Sequence, residues 1–106
     1  MPRPVSLLSA ALFCLPVCAD PLPAERQQEL EHLLLQDCGS CHGMRLTGGL
    51  GPALTPAALA GKPRELLVAT IREGREGTPM PPWKNLLGEA DIAWLVDRLL
   101  HPDENP

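Results

Sequence analysis

From Ala24 onward the apolar positions recur at helical spacing, and nowhere do they alternate long enough to make a convincing strand. Leu30, Leu33 and Leu34, with Asp37 in register, predict one face of a helix over 24–37, and Glu25, Arg26, Gln28 and Glu29 form its wet face. Pro23 suits its first turn. Gly48-Gly49 and Gly51-Pro52 make 43–56 a loop. Thr55-Pro56 then caps a short helix over 57–60, stopped by Gly61. Pro63 opens a helix to Glu73, with Leu67 and Ile71 four apart on one face and Gly74 as its stop. Gly77, Pro79, Pro81 and Pro82 break 75–87 into a second loop. Gly88 caps the last helix, Glu89 and Asp91 complement its positive end, and Ile92, Leu95, Val96 and Leu99 are its apolar stripe, with Trp94 at the edge. Pro102 ends it, leaving 103–106 as a frayed tail. The expectation is an all-α chain of about four helices, without repeats or a domain linker.

The first 19 residues do not belong to that pattern. Arg3, the apolar run Val5–Val17 and the small-residue stretch Val17-Cys18-Ala19 read as a signal peptide with cleavage after Ala19. The run is shorter than the roughly 20 residues of a membrane span; a retained N-terminal anchor is the alternative. Cleavage would remove Cys14 and Cys18 and leave a single domain, 20–106, whose only cysteines are Cys38 and Cys41. This domain is small for a self-sufficient core. It is also poor in aromatics, with no Tyr in the chain and the single Phe in the leader. A large flat apolar cofactor would fill that gap, so the composition suggests a shell built around a prosthetic group. The net charge of −4 argues against nucleic acid, which calls for a basic face. It is compatible with a protein that docks weakly on a partner.

The candidate group is named by Cys38-Gly39-Ser40-Cys41-His42, a C-x-x-C-H haem attachment motif. Two thiols two residues apart at a helix end can form thioethers with the two vinyl groups of one haem. The adjacent His42 can then offer a neutral imidazole nitrogen to the iron. A thioredoxin-like disulfide needs a βαβ setting that is absent from the pattern, and a zinc site needs a second ligand pair that does not follow. For the sixth ligand the candidate is Met80, in Thr78-Pro79-Met80-Pro81-Pro82-Trp83. Its thioether is soft, and prolines on both sides restrict a flexible side chain. Met44 stands too close to His42 to reach the opposite haem face, and His32 and His101 read as solvated.

With these residues in view, the chain resembles a class I cytochrome c over nearly all of 20–106. That resemblance implies a small all-α fold wrapped around one covalently bound haem c. It implies that the Pro52 carbonyl, in Gly51-Pro52-Ala53-Leu54, accepts a hydrogen bond from His42, and that Leu54 packs on the haem. It also implies that Trp94 meets the N-terminal helix and that Trp83 lies near the haem edge. Leu34 stands where the family usually has an aromatic, which leaves the helix crossing open. The runs Leu33–Met44 and Leu46–Leu54 are similar to the small periplasmic cytochromes of denitrifying bacteria, the NirC type, found with the nitrite reductase that carries haem c and haem d.

The function expected on these grounds is a monomeric, periplasmic, monohaem electron carrier, not an enzyme, with His42 and Met80 on the iron. Its partner by resemblance is the periplasmic nitrite reductase, supplied with electrons or assisted in haem d maturation. It is expected to have no nucleic-acid partner and no stable membrane insertion. A small haem catalyst or a gas sensor is the rival, and either requires Met80 to leave the iron.

Overall fold

The computed structural model describes residues 1–14 and 22–104. Residues 1–14 carry no helix or strand, and the expected cleavage stretch Val17-Cys18-Ala19 lies outside the described residues. Among the described residues there is no strand. Helix α1 (Ala24–Leu33) passes into a π-helical turn (Leu34–Cys38) and then into α2 (Gly39–His42), so these three make one continuous rod. They are followed by α3 (Pro56–Leu59), α4 (Arg64–Glu73) and α5 (Glu89–Leu100). The four expected helical bodies are present.

The first body departs from expectation in one respect. It does not close at Asp37 but runs on to His42 through the π turn, where the Gly39 N–H reaches back five residues to the Leu34 carbonyl. The wider turn makes the residues after Leu34 lag in rotation. Asp37, expected on the apolar face, is therefore exposed, and Cys38 and Gly39 follow beneath buried Leu34. The other starts and stops follow local chemistry. Thr55 Oγ1 accepts from the Ala58 N–H at 3.2 Å, and Gly61 and Gly74 end their segments with φ of +80° and +69°. The Asp91 carboxylate accepts from the Gly88 N–H at 3.0 Å, which ties down the start of α5.

The core is made by Leu30, Leu34, Leu59, Val68, Leu87, Ile92, Leu95, Val96 and Leu99, with Trp83 and Trp94 packed against it. The whole stripe expected on α5 is buried. The apolar residues of α4 divide between two tasks: Val68 enters the core, whereas Leu67 and Ile71 are only partly buried there. Leu87, expected simply as loop, is 6% exposed and joins the core.

Helix α5 is bound to its neighbours by four forked Arg–carboxylate pairs. Toward α1, Arg26 holds Asp91 (2.8 and 3.0 Å) and Arg98 holds Glu31 (2.7 and 2.9 Å). Toward α4, Arg64 holds Asp97 (2.7 and 2.9 Å) and Arg72 holds Glu89 (2.7 and 2.8 Å). The two α4 pairs join opposite ends of α4 and α5, as antiparallel neighbours require. Such bidentate bonds fix orientation more than they add stability when water reaches them.

Two stability predictions follow from this division of labour. Leu30→Ala removes a fully buried side chain and should cost about 2–5 kcal/mol, whereas Arg64→Ala at the exposed pair should cost under about 1 kcal/mol; denaturant unfolding of the two variants checks the contrast. Arginine hydrogen bonds hold the Asp91, Asp97 and Glu89 carboxyls below their ordinary values of 3.8, 3.8 and 4.5. A depressed carboxyl contributes stability that is complete above its unfolded value and is lost as pH falls through the folded one. Thermal midpoints should therefore hold down to about pH 5 and decline below about pH 4, and Asp91→Asn should flatten that decline.

Candidate functional site

The continuous rod ends at the motif, and the loop after it folds back onto it through the backbone. Gly48 N–H donates to the His42 carbonyl (2.8 Å), Gly51 N–H to the Cys41 carbonyl (2.7 Å) and Leu54 N–H to the Leu46 carbonyl (2.8 Å). This brings Pro52 against the imidazole: His42 Nδ1 lies 2.7 Å from the Pro52 carbonyl oxygen. A carbonyl can only accept, so Nδ1 carries the hydrogen, and in the neutral ring Nε2 is the nitrogen left with a lone pair. Gly51 is needed beside it because a Cβ there would stand 2.8 Å from the imidazole Nδ1 and Cε1. That constraint is absent from the motif reading, where Gly51 served only as a loop signal.

Met80 arrives from a different part of the fold. Its loop is pinned to the end of α4 by Arg75 N–H to the Met80 carbonyl (3.2 Å), Trp83 N–H to Ile71 (3.1 Å) and Lys84 N–H to Arg72 (3.2 Å). Gly74 lies directly under it, where a Cβ would come 2.6 Å from the Pro81 carbonyl carbon and 2.8 Å from the Met80 oxygen. Its φ of +69° adds a second reason for glycine. The sequence showed Gly74 as a helix stop; its close approach to the Met80–Pro82 backbone depends on a fold-back that no local signal carries.

Between these two parts lies a cavity of about 480 Å³, and a second of about 320 Å³ adjoins it and shares wall residues with it. Cys38, His42, Pro52, Met80 and Trp83 line both. Leu54 lines the first, with Leu67 and Ile71 of α4, and Cys41 lines the second. All six candidate site residues are thus gathered around these two adjoining cavities, whose walls are largely apolar. The side chains read as bystanders stay outside it: Met44 is 59% exposed and lines neither cavity. His32 and His101 are exposed, and His101 lies 3.8 Å from Glu104.

The donor set fits a haem held through its edge and by its iron: two free thiols, an imidazole with an available Nε2, a soft thioether, and apolar walls. It suits the rival chemistries poorly. Burial, with Asp37 adding to it, pushes the Cys38 thiol up to about 11, the wrong direction for a redox-active pair. No group of three or more His, Cys, Asp or Glu placed to hold a metal ion occurs among the described residues.

Comparison with known proteins agrees with this chemistry. Residues 25–97 match the family described as Cytochrome C oxidase, cbb3-type, subunit III. Cytochrome c55X of Pseudomonas aeruginosa is 68% identical over 93 residues, covering 87% of this chain and 78% of its own length. Cytochrome c55X of Stutzerimonas stutzeri is 63% identical over 102 residues, covering 96% and 89%. Among solved structures, the c-type cytochrome NirC superposes with a TM-score of 0.75 at 68% identity, covering 79% of this chain and 99% of that one. The dihydro-heme d1 dehydrogenase NirN, solved in complex with DHE, superposes with a TM-score of 0.61 at 34% identity, over 66% of this chain and 15% of that one. A helical fold with no strand among the described residues, a C-x-x-C-H motif on apolar cavities and relatives of this identity make one assignment: the chain belongs to the cytochrome c55X family, NirC-like monohaem c-type cytochromes that bind haem c covalently and transfer electrons.

Proposed function

We propose that this cytochrome is a monomeric periplasmic carrier serving the haem c and haem d nitrite reductase of denitrification, as its electron donor or in maturation of its haem d. In this reading residues 1–19 are the export signal. Cys38 and Cys41 are the thioether attachments, His42 Nε2 is the proximal ligand and Met80 Sδ the distal one. The observation that carries it is the meeting of these four side chains around the cavity of about 320 Å³, with His42 already oriented by Pro52. Bound haem supplies one-electron exchange between ferric and ferrous iron.

The chain's own residues do the rest. The Pro52 carbonyl holds the imidazole tautomer, and Gly51 lets the loop approach it. Gly74 and the backbone bonds of the Met loop hold the thioether in place. Leu54, Leu67 and Ile71 keep water from the interior side, while Leu50 (91% exposed) and Pro81 line the outer mouth. A small apolar rim of this kind suits a brief encounter with a redox partner. No helix among the described residues is long and apolar enough to cross a membrane. The nitrite reductase link is supported by the NirC likeness and by the occurrence of a similar fold in a dihydro-heme d1 dehydrogenase.

Two experiments test the proposal. Met80→Ala should abolish the long-wavelength charge-transfer band of thioether-ligated ferric haem, lower the midpoint potential and admit carbon monoxide to the ferrous protein. An unchanged visible spectrum and potential would remove Met80 from the iron, and ready carbon monoxide binding by the wild type would favour a sensor or catalyst. For the partner, stopped-flow mixing of reduced holoprotein with oxidised nitrite reductase should show second-order reoxidation, slowed by Leu50→Glu at the rim. No transfer to the reductase, and no acceptance of electrons from a dihydro-haem d precursor enzyme, would remove the link to that pathway.

A further inference from the structure

The two cationic side chains on the wall of the larger cavity have no partner among the described residues. Among the described residues, Lys62 and Arg75 are, with His42 and Cys38, the only ionisable side chains lining that largely apolar space. The chain has nine Lys and Arg against 13 Asp and Glu, so carboxylates are not scarce. Arg26, Arg64, Arg72, Lys84 and Arg98 each hold one at 2.7–2.9 Å. Lys62 and Arg75 hold none among the described residues, and beyond Arg3 in the leader the other cation in that position is Arg45, which lines neither cavity.

The two adjoining cavities also differ in their ionisable lining. Cys41 and Asp37 line only the smaller cavity, Lys62 lines only the larger, and Arg75 stands where the two meet. One cavity therefore presents a thiol beside a carboxylate, and the other presents a cation. Haem has the matching polarity, because the vinyl groups that become thioethers and the two propionates lie on opposite parts of the macrocycle edge. We infer that Lys62 and Arg75 are the counter-charges for the two haem propionates, on the macrocycle edge opposite the thioethers. Arg75 offers a planar fork suited to a carboxylate, and Lys62 a mobile point charge on a long stem. By offsetting two negative charges close to the iron, they favour the ferrous state and raise the midpoint potential.

The inference rests on covalent haem in this cavity but not on Met80 ligation, and the two have separate readouts: axial ligands in the visible spectrum, propionates in the infrared. The test compares Lys62→Gln and Arg75→Gln holoproteins with Arg45→Gln, by potentiometric titration and by redox-difference infrared spectra in the carboxylate region. Each cavity variant should raise the ferric-to-ferrous ratio at fixed applied potential at least threefold, about 28 mV at about 59 mV per tenfold for one electron. Each should also move a propionate carboxylate band, and Arg45→Gln should do neither. If the Gln variants yield no holoprotein, Lys62→Arg and Arg75→Lys should move the bands while keeping the wild-type potential. Unmoved propionate bands in whichever pair matures would overturn the inference, as would an equal potential shift in Arg45→Gln.

Discussion

The imidazole of His42 is held from two directions before any ligand reaches it. Its Nδ1–H is committed to the Pro52 carbonyl at 2.7 Å, and Gly51 lies close enough against the ring that a methyl group would not fit between them. Both residues are delivered by backbone bonds from the loop to the motif itself, at Cys41 and His42. Turning the ring would break the bond to Pro52. An oriented, singly protonated imidazole is the condition for a preformed ligand. Gly43, Gly49 and Gly51 all serve it by letting the loop lie close to the end of the rod: a Cβ at Gly49 would sit 2.7 Å from the Cys41 oxygen, and one at Gly43 only 2.5 Å from the Gly48 oxygen.

The opposite wall is built on different principles. Met80 sits on a proline-rich loop whose anchors all belong to α4 or the residues just after it. Helix α4 is in turn held to α5 by Arg64–Asp97 and Arg72–Glu89, and α5 to α1 by Arg26–Asp91 and Arg98–Glu31. The distance between the two sides of the cavity is thus set through α5, which touches α1, α3 and α4. Exposed ion pairs contribute little stability singly. Their forked geometry instead fixes how the helices sit across a space that side chains alone do not fill.

The parts of this arrangement that are local in sequence were legible there. The C-x-x-C-H motif, the Met80 loop, the Thr55 cap and the apolar stripe of α5 each declare themselves within a few residues. What stayed hidden depends on partners far along the chain. The π turn at Leu34–Cys38 has no composition signature, and it shifts the buried face from Asp37 to Cys38 and Gly39. Leu87 enters the core only because Trp83 and Lys84 bond back to α4. Lys62 and Arg75 look like ordinary surface cations until every other cation of the folded region except Arg45 is seen to hold a carboxylate. The position of Leu34, where the resemblance called for an aromatic, proves to be core: it is 1% exposed and also lines the cavity.

That double duty is general. Leu34, Leu59, Leu87, Leu95 and Leu99 belong both to the buried core and to the cavity wall. The hydrophobic core and the cofactor site are therefore not separate structures, as they are where a pocket is cut into an independently packed domain. In a chain this poor in aromatics, the proposed haem would give the apolar faces of those five leucines a packing partner. A group bound only in the folded state stabilises that state. Covalent attachment makes the coupling permanent, since the haem cannot leave by dissociation when the fold loosens. With the proposed attachment at Cys38 and Cys41, the thioethers would serve folding as well as redox chemistry, by keeping that packing partner joined to the chain.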